Sequence, residues 1–128
     1  MVARMDRIFL ALAGLSGAIA VGTGAFGAHG LKARLPPDLL AIWHTGASYH
    51  LSHALALVGA AWAAQRFPGA ASTAAGWLFV AGTVIFSGSL YALALTGVRA
   101  LGAVTPFGGI AFLAGWAAFA WAALRISR

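Results

Sequence analysis

The stretch Ala-Leu-Ala-Leu-Val-Gly-Ala-Ala-Trp at residues 54–62 is apolar at every position. A membrane-spanning β-strand alternates apolar and polar residues, so this run excludes a membrane barrel and indicates a helix. The run lies within residues 39–65, a segment of 27 residues without a formal charge. Because about 20 apolar residues cross the hydrocarbon core of a bilayer, this segment is long enough to form a transmembrane helix.

Three more uncharged segments, residues 8–31, 67–98 and 100–124, accompany the first. Only 8% of the 128 residues are charged and 62% are hydrophobic, whereas soluble domains carry about 25% charged residues. The sequence therefore predicts an all-α fold, a polytopic integral membrane four-helix bundle. We expect residues 1–128 to form a single transmembrane domain with spans at about 8–28, 46–64, 76–96 and 106–124.

The positive charges predict the orientation in the membrane. With four spans the two termini share a side. The residues on that side, including the loop at Arg66, are Arg4, Arg7, Arg66, Arg125 and Arg128, and those on the other side are Lys32, Arg34 and Arg99. Since cytoplasmic loops carry an excess of Lys and Arg, this division of five to three places both termini in the cytoplasm. The net charge of +6 is then explained by topology and by contact with anionic lipid headgroups. The sequence has no basic stripe with interleaved aromatic residues, so we expect no nucleic-acid partner.

Small residues at a spacing of about four mark faces where membrane helices pack closely. The residues that we assign to this role are Gly14, Ala18, Gly22, Gly88, Gly108, Gly109 and Gly115. Because a narrow bundle with so many small-residue faces has surface left over, we expect the protein to form homo-oligomers. Membrane lipids and another membrane protein are further candidates for partners.

Polar side chains gather in the half of the spans that is predicted to face away from the cytoplasm. The candidates for a binding cluster are His29, Tyr49, His53, Ser87, Ser89, Tyr91, Arg99 and Thr105. A polar group inside a bilayer needs a partner. We therefore expect these side chains to face one another, or a small recess, rather than lipid.

Three interpretations of this cluster stay open. The first is a hydrogen-bonded plug that ties the helices together. The second is a recess that binds or transports a small molecule, a lipid headgroup or a proton, with an anionic or quinone-like molecule among the candidate ligands. The third is a metal-dependent or acid/base enzyme, in which His50-x-x-His53 and His29 or His44 could hold a metal ion.

The signal for the enzyme is weak. The glutamate that metalloproteases carry between such histidines is missing, and Asp6 and Asp38 both lie at the ends of spans. The chain has no cysteine, which excludes thiolate nucleophiles and cysteine-type zinc sites. We expect no catalytic residue, metal or cofactor. The sequence favours a non-enzymatic accessory or interaction protein of the membrane, with binding or transport through the recess as the alternative.

Several motifs follow one another along the chain. They are Gly24 to Leu31 (GAFGAHGL), Tyr49 with His53 to Leu55 (HAL), Phe86 to Tyr91 (FSGSLY), Leu95 to Gly97 (LTG) and Thr105 to Gly109 (TPFGG). In these motifs the sequence closely resembles the small membrane proteins of the domain of unknown function four-two-three family, over about Met5 to Leu124. This family includes bacterial inner-membrane proteins and the eukaryotic transmembrane protein two-five-six group. The resemblance implies a four-helix integral protein of the bacterial cytoplasmic membrane and supplies no reaction.

The resemblance also points to particular residues. The motif positions that it carries over to this chain are His29, Tyr49, His53, Ser87, Gly88, Ser89, Tyr91, Thr105, Pro106, Gly108 and Gly109. His44 and His50 are not among them. The resemblance therefore weakens the metal interpretation, which needs two or more of the histidines.

Overall fold

The computed structural model describes residues 2–125, in which four long helices follow one another. They are built from five α-helical segments, namely α1 (Val2–Ala28), α2 (Pro37–Arg66), α3 (Ala70–Gly82), α4 (Gly88–Thr96) and α5 (Thr105–Leu124). A π-helical turn at Thr83–Ser87 joins α3 to α4, so these two form one long helix, here named the third span. A short 3₁₀ helix at Arg99–Ala103 leads into α5. Arg128, which entered the charge comparison, lies outside the described residues.

Proline and glycine set the ends of the helices. α2 begins at Pro37, and Pro106 lies in the first turn of α5. Backbone amides in the first turn have no acceptor within the helix, so a proline, which lacks the amide hydrogen, costs no hydrogen bond there. The third span ends at Gly97, which has a φ of 72° and donates its amide hydrogen to the Leu93 carbonyl at 2.7 Å. Glycine adopts this left-handed conformation at little cost, so it stops a helix sharply. The resulting short connections make consecutive helices antiparallel neighbours.

In the part of the chain that the structure describes, three helical segments are long and apolar enough to cross a membrane, namely Arg4–Ala28, Ala70–Thr96 and Arg99–Leu124. The fourth helix, α2, is longer than these but more polar, since it carries His50 and His53. Both histidines are buried, because α2 contacts α1, the third span and α5. A polar helix is stable in a bilayer when its polar groups are covered by other helices in this way. The predicted all-α membrane bundle of four helices is confirmed.

The main core lies where α1, α2 and α3 meet. Phe9 of α1 and Phe79 of α3 are fully buried there against small side chains of α2. The α2 residues in this core are Ala56, Leu57, Ala60, Ala61 and Ala64. A surface of alanines allows the neighbouring backbones to approach closely, which is what holds helices together in a bilayer.

Several glycines make room for an aromatic ring of a neighbouring helix. The pairs are Gly27 with Trp43, Gly46 with Tyr91, Gly76 with Phe9, Gly82 with Phe112 and Gly115 with Phe79. A Cβ atom built on Gly115, for example, would lie only 2.8 Å from two carbons of the Phe79 ring. Each of these positions therefore excludes a larger side chain unless the ring moves.

The remaining glycines predicted for packing differ from one another. A Cβ atom built on Gly108 would overlap the main chain of Phe86, so α5 and the third span are in backbone contact at this point. A Cβ atom built on Gly109 would lie 3.9 Å from its nearest neighbour, Cδ2 of Phe86, which is an ordinary van der Waals contact. Nothing lies within 4 Å of a Cβ atom built on Gly88, because this glycine borders a cavity instead of a neighbouring helix.

The packing face of α1 differs from the predicted one. Gly14, Ala18 and Gly22 are exposed on the outer side of the helix, and nothing lies within 4 Å of a Cβ atom built on either glycine. The buried face carries Phe9 and Ala20 instead. Small residues occur on both faces of α1, and lipid is as apolar as a protein core, so composition alone does not distinguish the two faces.

Candidate functional site

The structure divides the predicted polar cluster into separate groups. At one end of the bundle, His29 is exposed just after α1, and Arg99 forms an exposed ion pair with Asp38. The hydrogen bond that Asp38 accepts from the Arg99 guanidinium lowers the pKa of the Asp38 carboxyl below its ordinary value. His29 and Arg99 are therefore surface groups, away from the buried polar residues.

Two serines of the third span tie neighbouring helices together. Ser87 is buried and donates a hydrogen bond to the Gly46 carbonyl of α2 at 2.7 Å. Ser89 donates to the Phe86 carbonyl at 2.9 Å, and its oxygen lies 2.6 Å from the hydroxyl of Thr105 on α5. Since the Ser89 proton is directed to the carbonyl, Thr105 is the donor in this second bond. These contacts have the geometry of the plug interpretation.

His53 is buried between α2 and α5. Its Nδ1 lies 2.8 Å from the Tyr49 carbonyl, and its Nε2 accepts a hydrogen bond from the indole nitrogen of Trp116 at 3.1 Å. A carbonyl only accepts and an indole only donates, so His53 is neutral and carries its proton on Nδ1. Its ring also stacks on Phe112 with the ring centroids 3.6 Å apart. Because both nitrogens are used, His53 holds α5 against α2 and offers nothing to a metal or ligand.

The Tyr49 side chain, another member of the predicted cluster, lies beside His53 without a place in its hydrogen bonds. The ring is 46% exposed and packs on Phe86, with the two ring centroids 4.6 Å apart. Tyr49 is thus an aromatic contact at the outer surface of the bundle.

His50 belongs to a chain of hydrogen bonds that crosses three helices. Its Nε2 lies 3.0 Å from the hydroxyl of Ser16 on α1, and its Nδ1 lies 2.9 Å from the hydroxyl of Tyr91 on α4. The Tyr91 hydroxyl is in turn 2.9 Å from that of Thr23, which donates to the Ala20 carbonyl at 3.0 Å. We name Ser16, His50, Tyr91 and Thr23 the His50 chain.

The carbonyl at the end fixes the direction of the whole His50 chain. Thr23 directs its only hydroxyl proton to that carbonyl, so Tyr91 donates to Thr23, and His50 donates to Tyr91 through Nδ1. A charged imidazole inside the bilayer is costly, which favours a neutral His50. Nε2 is then an acceptor, and Ser16 donates to it. Every side-chain polar proton of the His50 chain is thus already donated, either to another member of the chain or to the Ala20 carbonyl.

The two histidines considered as metal ligands turn toward different neighbours. His50 bonds to α1 and α4, whereas His53 bonds to α5. His44 and His29 are both exposed. Within residues 2–125, no group of three histidine, aspartate or glutamate side chains is placed to hold a metal ion. This part of the chain therefore offers no geometry for the metal interpretation.

A cavity of about 370 Å³ lies between α1, α2 and the third span, and we name it the mid-membrane cavity. Its polar lining residues are Ser16, His50, Thr83, Ser87 and Tyr91, and the rest of its wall is apolar apart from Gly88. Ser16 lies near the middle of Arg4–Ala28, and Thr83 lies at the middle of Ala70–Thr96. The cavity is therefore about midway across the membrane.

The π-helical turn forms part of the cavity wall, since Thr83, Val84 and Ser87 all line it. Such turns are rare in proteins and occur frequently at functional sites. Nothing in the sequence of this segment predicts it, because an added residue in one helical turn leaves no distinct composition.

Sequence reasoning missed three members of the His50 chain as site residues. Ser16 and Thr23 are not among the predicted site residues, and His50 is a candidate metal ligand that is absent from the predicted binding cluster. A signal was available for the first two, which are the only hydroxyl residues in the first predicted span and stand seven residues apart, on one helix face. Their shared face predicts a polar partner on a neighbouring helix.

Comparison with known proteins identifies the family. The model of a family described as "Protein of unknown function (DUF423)" matches residues 23–109. The chain is 48% identical over 120 residues to the UPF0382 membrane protein YwdK of Bacillus subtilis (strain 168), and the aligned region covers 93% of this chain and 98% of that protein. It is 43% identical over 123 residues to the UPF0382 inner membrane protein YgdD of Escherichia coli (strain K12), covering 96% and 94% of the two chains. No solved structure matches the chain. Together with the motifs and the four-helix membrane fold, these matches show that the chain belongs to the DUF423 family of membrane proteins.

Proposed function

We propose that this protein is a non-enzymatic membrane protein that binds a lipophilic small molecule or lipid in the mid-membrane cavity. The observation that carries the proposal is the position of His50, with its hydrogen-bonded partners, on the wall of an otherwise apolar cavity. Ligand pockets are mostly apolar, hold a few polar groups that orient the ligand, and measure about 300–1,000 Å³. A volume of about 370 Å³ suits a small ligand.

The depth of the cavity supports a binding role. An ionisable residue within the membrane is costly and usually has a function. His53 is accounted for by its bonds to α5 and does not line the cavity. His50 does line it, beside Ser16 and Tyr91, and the π-helical turn lies on the same cavity. Leu15 and Val84 are 61% and 68% exposed at the edge of the cavity, so a ligand would enter sideways from the bilayer.

The same geometry favours ligand binding over proton transfer. The His50 chain ends at the Ala20 carbonyl, which accepts a hydrogen bond but does not pass a proton on. The two acidic side chains of the protein, Asp6 and Asp38, lie near the ends of helices, many residues away from His50 in the sequence. A binding site therefore explains the buried polar groups better than a proton path does.

We also propose that both termini face the cytoplasm, in the cytoplasmic membrane. The positive-inside rule supports this orientation, since Arg4, Arg7, Arg66 and Arg125 lie at one end of the helices. The Escherichia coli relative is named an inner membrane protein, which supports the location. The expected self-association and membrane-protein partner remain predictions.

The substitution Gly88→Leu tests the binding proposal. Because nothing lies within 4 Å of a Cβ atom at Gly88, a larger side chain there has room to extend into the cavity and to compete with a ligand. Gly14→Leu is the matched control, since Gly14 is equally open but does not line the cavity. The probes are 12-carbon chains with a photoreactive diazirine at mid-chain and a terminal oxygen, either an alcohol or its methyl ether.

The protein would be reconstituted in phosphatidylglycerol vesicles, irradiated, digested and mapped by mass spectrometry. We expect labelling of cavity residues that face little lipid, above all Leu57, which is 1% exposed. Labelling there should persist in Gly14→Leu and fall at least severalfold in Gly88→Leu, while circular dichroism shows folded protein for both. Equal labelling of Leu57 in the two variants, or no labelling of the original chain by either probe, would refute the proposal.

A further inference from the structure

The hydroxyl protons around the mid-membrane cavity are all directed toward other protein atoms. Ser87 donates to the Gly46 carbonyl at 2.7 Å, and Thr83 donates to the Phe79 carbonyl at 2.8 Å. Ser16 donates to His50, as the direction of the His50 chain requires. The carbonyls that receive the Thr83 and Ser87 protons are acceptors only, so these two bonds cannot be reversed, and the Ser16 bond is fixed by the neutral His50.

The use of these protons decides which hydrogen bonds the cavity can form with a ligand. A hydroxyl oxygen has one proton and two lone pairs, and the protons of Ser16, Thr83 and Ser87 are already used. The lone pairs of these oxygens are what remains. All three residues line the cavity, but Ser87 is only 1% exposed, so the half-buried Ser16 and Thr83 are the accessible acceptors. The polar part of the wall is therefore a hydrogen-bond acceptor and not a donor.

We infer that the ligand of this cavity is a neutral lipophilic molecule that donates a hydrogen bond, namely an apolar chain or ring bearing a hydroxyl group. This inference rests on the proposed binding function and adds the chemistry of the ligand. A quinone or another carbonyl compound would set its lone pairs against those of the wall, and would bind only if a hydroxyl proton gave up its bond within the protein. An ammonium group would donate as well, but a charge at this depth is costly.

The structure also removes the reason to expect an anionic ligand. Arg99, the cation considered for such a ligand, is exposed, is paired with Asp38 and does not line the cavity. Among residues 2–125, no lysine or arginine lines the cavity. An anion would therefore leave water for an apolar site without a counter-ion, which is strongly unfavourable.

The matched probes described above separate these ligand classes. The alcohol and its methyl ether share the chain, the diazirine and the oxygen, but only the alcohol donates a hydrogen bond. We expect the alcohol to label Leu57 about fivefold more than the ether, the factor that corresponds to one net hydrogen bond of about 1 kcal/mol. Labelling of Leu113, which is 71% exposed on α5, normalises for the concentration of each probe in the bilayer.

Three variants assign the acceptor, namely Ser16→Ala, Thr83→Val and Ser87→Ala. At least one of them should bring the ratio of alcohol to ether labelling close to one, while the ether labelling itself stays constant. Thr83→Val is the most conservative, because the Thr83 hydroxyl bonds only within its own helix. Thr45→Val is its control, since Thr45 makes the same bond to Ala41, at 3.0 Å, on an exposed part of α2.

The outcomes distinguish this inference from the proposed function. Cavity labelling by both probes without a preference for the alcohol would leave the binding function intact and overturn the inference, as would a preference for the ether. An alcohol preference that survives in all three variants would overturn the assignment of the acceptor. Absence of cavity labelling by either probe, or cross-links that place a second copy of the chain in the cavity, would overturn both.

Discussion

Replacement of Gly108 by alanine is expected to destabilise the bundle through its main chain. A Cβ atom on Gly108 would lie 2.7 Å from Cα of Phe86, and closer still to the Phe86 amide nitrogen. Carbon atoms in good contact are about 3.5–4.0 Å apart, so α5 must move away from the third span by about 1 Å. No side-chain rotation relieves the overlap, because the obstacle is the backbone of the π-helical turn.

The neighbouring Gly109 gives the magnitude of this effect. Its nearest foreign atom would be 3.9 Å from a Cβ atom, so Gly109→Ala introduces no overlap. Alanine gains about 1 kcal/mol of helix propensity over glycine at either position, and this gain cancels in the comparison. The difference that remains is the cost of overpacking, about 1–3 kcal/mol. We therefore expect the free energy of unfolding to be about 1–3 kcal/mol lower for Gly108→Ala than for Gly109→Ala.

The measurement is reversible unfolding in mixed micelles with a rising fraction of sodium dodecyl sulfate, followed by tryptophan fluorescence and circular dichroism. Both variants should show the same helix content before the transition, which confirms that native states are compared. Equal midpoints for the two variants, or a higher midpoint for Gly108→Ala, would show that α5 and the third span are not in backbone contact at this position.

Two further predictions concern the ends of the bundle. Because the chain has no cysteine, Arg34→Cys and Arg66→Cys each introduce a single thiol. A membrane-impermeant maleimide should label the thiol at position 34 in intact cells and the thiol at position 66 only after permeabilisation. The reverse labelling pattern would invert the proposed orientation. The pKa of Asp38 is lowered by Arg99, so the ion pair contributes stability that is complete above the ordinary aspartate value of 3.8 and is lost as pH falls through the lowered pKa. Wild type should accordingly exceed Asp38→Asn in stability by a small amount at neutral pH, since both side chains are exposed. That difference should vanish in acid, and a constant difference down to about pH 2 would contradict the role of the ion pair.

The fold was predictable because solvent and length determine it. Uncharged runs of more than 20 residues admit only helices in a bilayer, and Pro37 and Gly97 mark where those helices begin and end. The inner position of α2 was less evident. It follows from His50 and His53, since a helix with two histidines is stable in a membrane only when other helices cover them.

The side-chain contacts were less predictable, for a physical reason. In water, hydrophobic periodicity shows which face of a helix is buried, but in lipid both faces are apolar. Gly14 and Gly22 were therefore assigned to packing although they face outward, whereas Gly27 and Gly76, which hold Trp43 and Phe9, were not assigned. A glycine marks close packing only when an aromatic ring or the main chain of a neighbouring helix stands opposite, and the sequence does not show which glycines these are.

The two buried histidines show how the plug and the site are told apart. The resemblance to the family pointed to His53, and the structure shows that His53 has both ring nitrogens satisfied between Tyr49 and Trp116, outside the lining of the mid-membrane cavity. His50 is equally satisfied, yet it and its partners Ser16 and Tyr91 line the mid-membrane cavity. Satisfied hydrogen bonds are thus common to both and do not separate structure from function. The difference lies in the lone pairs that remain beside the cavity, which a plug has no need to present and which a hydroxyl-bearing ligand would use.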